Sequence, residues 1–264
     1  MIFKTYFMLF LLGHIVGDFY TQSKHMAEEK EHHISWVFLH GMTYFLVIAA
    51  VTFLFGSINV FFYGILAAVL HLVIDIGKFY YKLFLKHKNS KKRRELSFYQ
   101  ERNIYCIDQI LHLICICFLS YMMTKNLGVL SVKPYILEFA KTVGVSWQAV
   151  LNWSVVLLLL HKPANLTIGK LISVYKPASV IMQDEISKSP KEQDHNAGRF
   201  IGTVERLIIV IFLAVHQYTA IGFVLTAKSI ARYDKISKEP YFAEYYLLGT
   251  LLSTAAAVSL FFLI

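Results

Sequence analysis

The chain has 264 residues, is 56% hydrophobic with a mean hydropathy of +0.53, and holds several apolar runs near the roughly 20 residues that cross hydrocarbon, which excludes an ordinary water-soluble domain. Its net charge of +9 comes from Lys and Arg gathered in loops between those runs, so the charge reports topology and no nucleic-acid partner is expected. The three cysteines, Cys106, Cys115 and Cys117, share one apolar segment at spacings that match neither a disulfide framework nor a zinc knuckle.

The first helix is expected over residues 6–20. It follows Lys4 as a signal-peptide core would, but no small-x-small cleavage site comes after it, so it reads as an uncleaved first span. Within it, Gly13 to Gln22 puts His14 and Asp18 four residues apart, on one helical face. A charged segment, 24–33, leads to a second helix over 36–56 whose one ionisable residue is His40. The third helix starts near Val60, carries His71 and Asp75, and loses its apolar character beyond Lys78. There Lys82, Lys86, Lys88, Lys91, Lys92, Arg93 and Arg94 crowd a short loop, a strong cytoplasmic marker. The fourth helix, over 104–124, presents Asp108 and His112.

The segment that follows has few basic residues, only Lys125, Lys133 and Lys141, as an external loop should. A shorter apolar run, 147–160, stops before Pro163, and 165–176 has the irregular helical spacing of a helix lying in the interface. Residues 177–197 form a polar cytoplasmic connection. The long apolar stretch 200–232 is interrupted at His216-Gln217-Tyr218 and reads as a hairpin, and 245–264 closes the chain. The expected fold is all-α: a polytopic transmembrane bundle of about eight spans with an interfacial helix after the fifth. Its parts are 1–124, a four-helix membrane domain; 125–176, the external loop, short span and interfacial helix; and 177–264, the connection and three further membrane helices.

Anchoring the basic loop in the cytoplasm puts His14, Asp18, His40, His71, Asp75, Asp108 and His112, from four helices, at one depth in the cytoplasmic third of the membrane. Facing lipid, they would cost on the order of 10 to 20 kcal/mol, so they must face one another, water or a metal. A buried hydrogen-bond network locking the helices together is the plain alternative to a metal centre. Imidazole and carboxylate suit a divalent metal, zinc foremost and also manganese, iron or nickel, and the seven residues are enough for one closed site or for two ions sharing a carboxylate. Asp18 and Asp108 are the candidate general bases toward metal-activated water. Gln22, Lys24 and Lys78 lie just beyond the cluster, where they could hold a substrate carbonyl or phosphate oxygen or simply snorkel to the interface.

The combination HxxxDFxxQ (His14 to Gln22), His40-Gly41, HxxxDxxK (His71 to Lys78) and DQxxH (Asp108 to His112) resembles a family of bacterial polytopic membrane proteins described only as a domain of unknown function, DUF3307-like, over roughly residues 6–124. That resemblance implies a shared site and a bacterial inner-membrane location, without a substrate. The repeated HxxxD on membrane helices is more loosely similar to inner-membrane metal-dependent hydrolases.

In the second half, Gly198 and Gly202 permit close helix approach, and Glu205 and Arg206 are charges inside a span. Glu205, Arg206, Lys228 and Glu244 form a structural ion-pair network in one reading. In the other, Arg199, Arg206, Lys228 and Arg232 form an anion pocket for a lipid headgroup or phosphate.

Three functions follow. The first is a metal-dependent hydrolase acting on a lipid or lipid-linked substrate at the cytoplasmic leaflet. The second is a non-enzymatic scaffold or sensor with a structural metal site, whose cytoplasmic loops, 79–103 and 177–197, recruit a protein partner. The third is an ion or metal transporter, which the near absence of ionisable residues in the outer halves of the first four helices disfavours.

Overall fold

The computed structural model describes residues 2–90, 96–177 and 193–264; Lys91, Lys92, Arg93 and Arg94 of the basic loop and most of the 177–197 connection lie outside the described residues. Every described element is a helix. The chain divides into two units, Met1–Val155 and Val156–Ile264.

The first unit opens with α1 (Ile2–Ile15), which runs directly into a π-helical turn, Val16–Tyr20. A short α2 (Lys24–Glu29) begins at Ser23, whose hydroxyl accepts from the Met26 amide at 3.1 Å. Then come α3 (Ile34–Phe55), α4 (Ile58–Ser90) and α5 (Phe98–Leu127). A reciprocal capping box between Ser97 and Gln100 starts α5 immediately after the basic segment. Next is α6 (Pro134–Val143), with proline in its first turn and left-handed Gly144 (φ 75°) at its end. The last helix to begin in this unit is α7 (Trp147–Leu160).

One half of the bundle is apolar. Tyr6, Leu9 and Phe10 of α1 meet Tyr44 and Ile48 of α3, Val60, Ala67 and Ala68 of α4, and Ile116, Leu119 and Met123 of α5. The outward faces carry exposed Phe38, Met42, Leu46, Phe53, Phe62, Val73, Ile114 and Phe118. Water would not tolerate such a belt; lipid does. Small residues set the helix spacing where α1 meets α3. A Cβ on Gly13 would collide with Ile48, and one on Gly17 would lie 2.7 Å from Cδ2 of Tyr44. We expect Gly17→Ala to lower stability by about 1 to 3 kcal/mol, because buried Tyr44 cannot yield. Thermal unfolding in detergent checks this against Gly77→Ala, where the added methyl meets nothing within 4 Å.

The second unit holds α8 (Lys162–Ile172), extended by a 3-10 turn to Tyr175, then α9 (Gln193–Ala214), α10 (Tyr218–Ile230), α11 (Tyr233–Lys238) and α12 (Pro240–Phe261). The break between α9 and α10 falls at His216, which has φ 58°, so the expected hairpin is present. Helix α7 breaks at His161 (φ −92°, ψ −98°) just ahead of Pro163. Across that break, α7 and α8 together make a 29-residue segment long and apolar enough to cross a membrane, where the sequence reads as a short span and an interfacial helix.

Six helical segments among the described residues satisfy both length and apolarity for a span. Of the other two expected spans, α9 carries Arg199, Glu205 and Arg206, and the 13 residues of α10 cover only about 20 Å of a roughly 30 Å hydrocarbon layer. The fold is an all-α membrane protein.

Candidate metal centre

The polar half of the first unit gathers side chains from α1, the π turn, α3, α4 and α5. Because successive helices alternate in direction, His14 in the last turn of α1 and Asp18 in the π turn lie level with His40 early in α3, with His71 and Asp75 midway along α4, and with Asp108 and His112 toward the middle of α5. His14, His40, His71, Asp75, Asp108 and His112 are each at most 4% exposed. Their donors form three overlapping groups: His14, Asp18 and His71; His40, His71 and Asp75; Asp75, Asp108 and His112, with the donor atoms of each group within 4.8 Å of one another. All seven residues expected from the helical spacing are therefore brought together.

The separations are informative. His40 Nε2 lies 3.2 Å from Asp18 Oδ1 and 3.4 Å from Asp75 Oδ2; His112 Nε2 lies 3.6 Å from Asp108 Oδ1. His71 faces Asp18 with Nε2 at 3.8 Å and Asp75 with Nδ1 at 3.9 Å. Most of these are long for hydrogen bonds, and both ring nitrogens of His14, His40 and His71, with Nε2 of His112, Oδ2 of Asp75 and Oδ1 of Asp108, make none. A tetrahedral ion with ligand bonds near 2.1 Å holds its donors about 3.4 Å apart. Side chains of this chemistry and spacing can hold a divalent ion.

Surrounding groups hold the donors in place. The Tyr44 ring stacks on the His71 imidazole at 3.7 Å between centroids, and His71 stacks on His112 at 4.2 Å. Lys78 Nζ donates to Asp108 Oδ2 at 2.7 Å, and the Gln109 amide donates to Asp18 Oδ2 at 3.2 Å and Asp108 Oδ2 at 3.3 Å. Lys30, just past α2, donates to Gln22 Oε1 at 2.9 Å and lies 3.5 Å from Asp75 Oδ2, while Lys82 pairs with Glu31 at 2.5 Å. Segment 24–33 therefore closes over this end of the cluster. A small cavity on the apolar side is lined by His14, Tyr44, His71, His112 and Cys115.

Sequence reasoning named Lys24 where Lys30 stands: Lys24 is exposed at the start of α2. It also missed Tyr44 and Gln109. Tyr44 was detectable one turn after His40 on the same face, and Gln109 stands inside DQxxH. Lys30 had no periodic signal, because it lies outside the spans.

In the second unit, buried Arg206 donates Nε to the Leu160 carbonyl at 2.9 Å, Nη1 to Ser253 Oγ at 3.2 Å and Nη2 to Asn165 Oδ1 at 2.7 Å. Lys228 pairs with Glu205 at 2.5 Å. Arg199, Arg232 and Glu244 are exposed, with Arg232 and Lys228 over the Tyr246 ring at 5.8 Å and 5.5 Å. Arg206 therefore ties together a broken helix and its neighbours through neutral oxygens, not through the carboxylates of an ion-pair network.

The class these features define is a polytopic helical membrane protein with a buried His/Asp cluster at one end of its first bundle. The family model described as "protein of unknown function (DUF3307)" matches residues 6–139, just over half the chain and all seven cluster residues, and the chain belongs to that family. No curated protein and no solved structure matches it.

Proposed function

We propose that this protein is an integral membrane metal-dependent hydrolase of the bacterial inner membrane, acting on a lipid or lipid-linked substrate at the cytoplasmic leaflet. The observation that carries the reading is the set of imidazole and carboxylate groups drawn within 4.8 Å of one another in three groups, with the ring nitrogens of buried His14, His40 and His71 left without a hydrogen bond. Bound there, a divalent ion, zinc by the chemistry of the donors, would lower the pKa of a coordinated water toward neutrality. Asp18, whose side chain is 10% exposed and therefore nearer the open end, is the better general base; Asp108, 4% exposed, is the other. Lys78, with Gln22 and Lys30, would orient a substrate oxygen on that side, and the basic residues following α4 support its assignment to the cytoplasm.

The test is Asp18→Asn and Asp108→Asn in purified, metal-loaded protein incubated with membrane lipid extract. Turnover by the parent, and its fall to below about a hundredth in either variant with helicity retained, is the expected result, in line with the loss of a general base. One observation favours a second reading: Lys78 and Gln109 already engage both candidate bases, which suits a structural metal site in a scaffold or sensor. A metal-loaded parent that turns over no lipid selects that reading.

A further inference from the structure

The three donor groups are not equivalent. His14, Asp18 and His71 share no residue with Asp75, Asp108 and His112, while the third group draws His71 from one and Asp75 from the other and adds only His40. A single tetrahedral ion takes four donors and would leave three of these seven residues, six of them buried, unused. Two ions employ two complete sets, with His40 between them, 3.2 Å from Asp18 and 3.4 Å from Asp75. Resting on the metal-centre reading above, we propose that the cluster holds two divalent cations, one on each disjoint set, and that the group it binds between them and Lys30 is a phosphate ester.

Charge selects the ligand. Asp18, Asp75 and Asp108 supply three negative charges, and Lys30 and Lys78 already offset two of them. Two divalent ions turn the site to a surplus of three positive charges, so what completes it is an anion. A carboxylic ester or amide is neutral in its ground state and leaves that surplus; a phosphate monoester removes most of it and offers several oxygens to two metals and an ammonium group. The cations are arranged for this. Lys30 and Lys78 are 12% and 22% exposed, on the same side as Asp18 at 10%, whereas the imidazoles beneath are almost wholly enclosed. The two ammonium groups thus stand at the more exposed end of the cluster, beside the carboxylates and outside the enclosed imidazoles.

The full-length protein in detergent is stripped with chelator, reloaded with Zn²⁺, desalted and analysed for metal. About two zinc ions per chain are expected, falling to about one in both His14→Ala/Asp18→Asn and Asp108→Asn/His112→Ala. One ion in the parent overturns this proposal and leaves the metal-centre reading standing; none overturns both. If a paired variant fails to elute as folded protein on gel filtration, the parent count decides. Zinc-loaded protein is then titrated calorimetrically with inorganic phosphate and, separately, with mixed micelles containing phosphatidic acid or phosphatidylcholine. Phosphate binding that weakens at least tenfold in Lys30→Met, at unchanged zinc content, is the expected result. Phosphatidic acid binding in addition identifies a lipid headgroup as the source, and phosphate binding alone identifies a soluble ester. Binding to neither, or binding indifferent to Lys30→Met, overturns the proposal.

Discussion

Purified His71→Ala/Asp75→Ala protein is expected to retain less than about a tenth of the metal of the parent while keeping its helical circular dichroism. These two residues are the shared members of the donor groups: removing both leaves His14 with Asp18, His40 alone, and Asp108 with His112, and none of these remnants is a three-donor set. The fold should survive, because the apolar half of the bundle, from Tyr6 to Met123, loses only the stacking of Tyr44 on His71, and alanine is a strong helix former in the middle of α4. Elemental analysis decides the matter. A parent without metal, or a double variant that keeps it, removes the basis for a metal centre.

The second large effect lies in the other unit. Arg206→Ala is expected to cost on the order of 4 kcal/mol, since it strands the Leu160 carbonyl at the helix break and leaves Asn165 and Ser253 without their charged donor. Ser253→Ala removes only the 3.2 Å contact to Nη1 and should cost about 1 kcal/mol. Thermal unfolding in detergent separates the two. Equal, small effects would mean that the guanidinium is not what holds the broken helix.

Much of the site was legible because helical spacing is a strict code. Once residues 58–90 and 98–127 are helices, His71 must share a face with Asp75, and Asp108 with His112. The alternation of chain direction, read from the basic loop, then set them level with His14 and His40. What spacing could not reveal was decided by tertiary contact. Lys30 reaches Asp75 only because segment 24–33 folds back over the bundle, and no local pattern encodes that return. Arg206 looked like one member of an ion-pair network because it follows Glu205, but successive residues point to different sides of a helix. Glu205 faces Lys228, and Arg206 faces the His161 break. That break was foreshadowed by Pro163, whereas the use of the freed carbonyl as an acceptor for a buried cation was not.

The π turn at Val16–Tyr20 carries a consequence of its own. Its hydrogen bond from Thr21 N to Val16 O, 2.9 Å, spans five residues, which is an α-helix with one residue too many. Each residue turns an α-helix by about 100°, so the surplus resets the angular phase of everything beyond it. Before the reset, α1 obeys the apolar stripe of Tyr6, Leu9 and Phe10; after it, the chain is free to obey a different stripe, aiming Asp18 at the imidazoles and starting segment 24–33 on the heading that brings Lys30 home. A single continuous span thereby serves two incompatible periodicities, with the seam between them at Gly17, where the Tyr44 ring from α3 stands 2.7 Å from where a Cβ would be and leaves no room for a side chain.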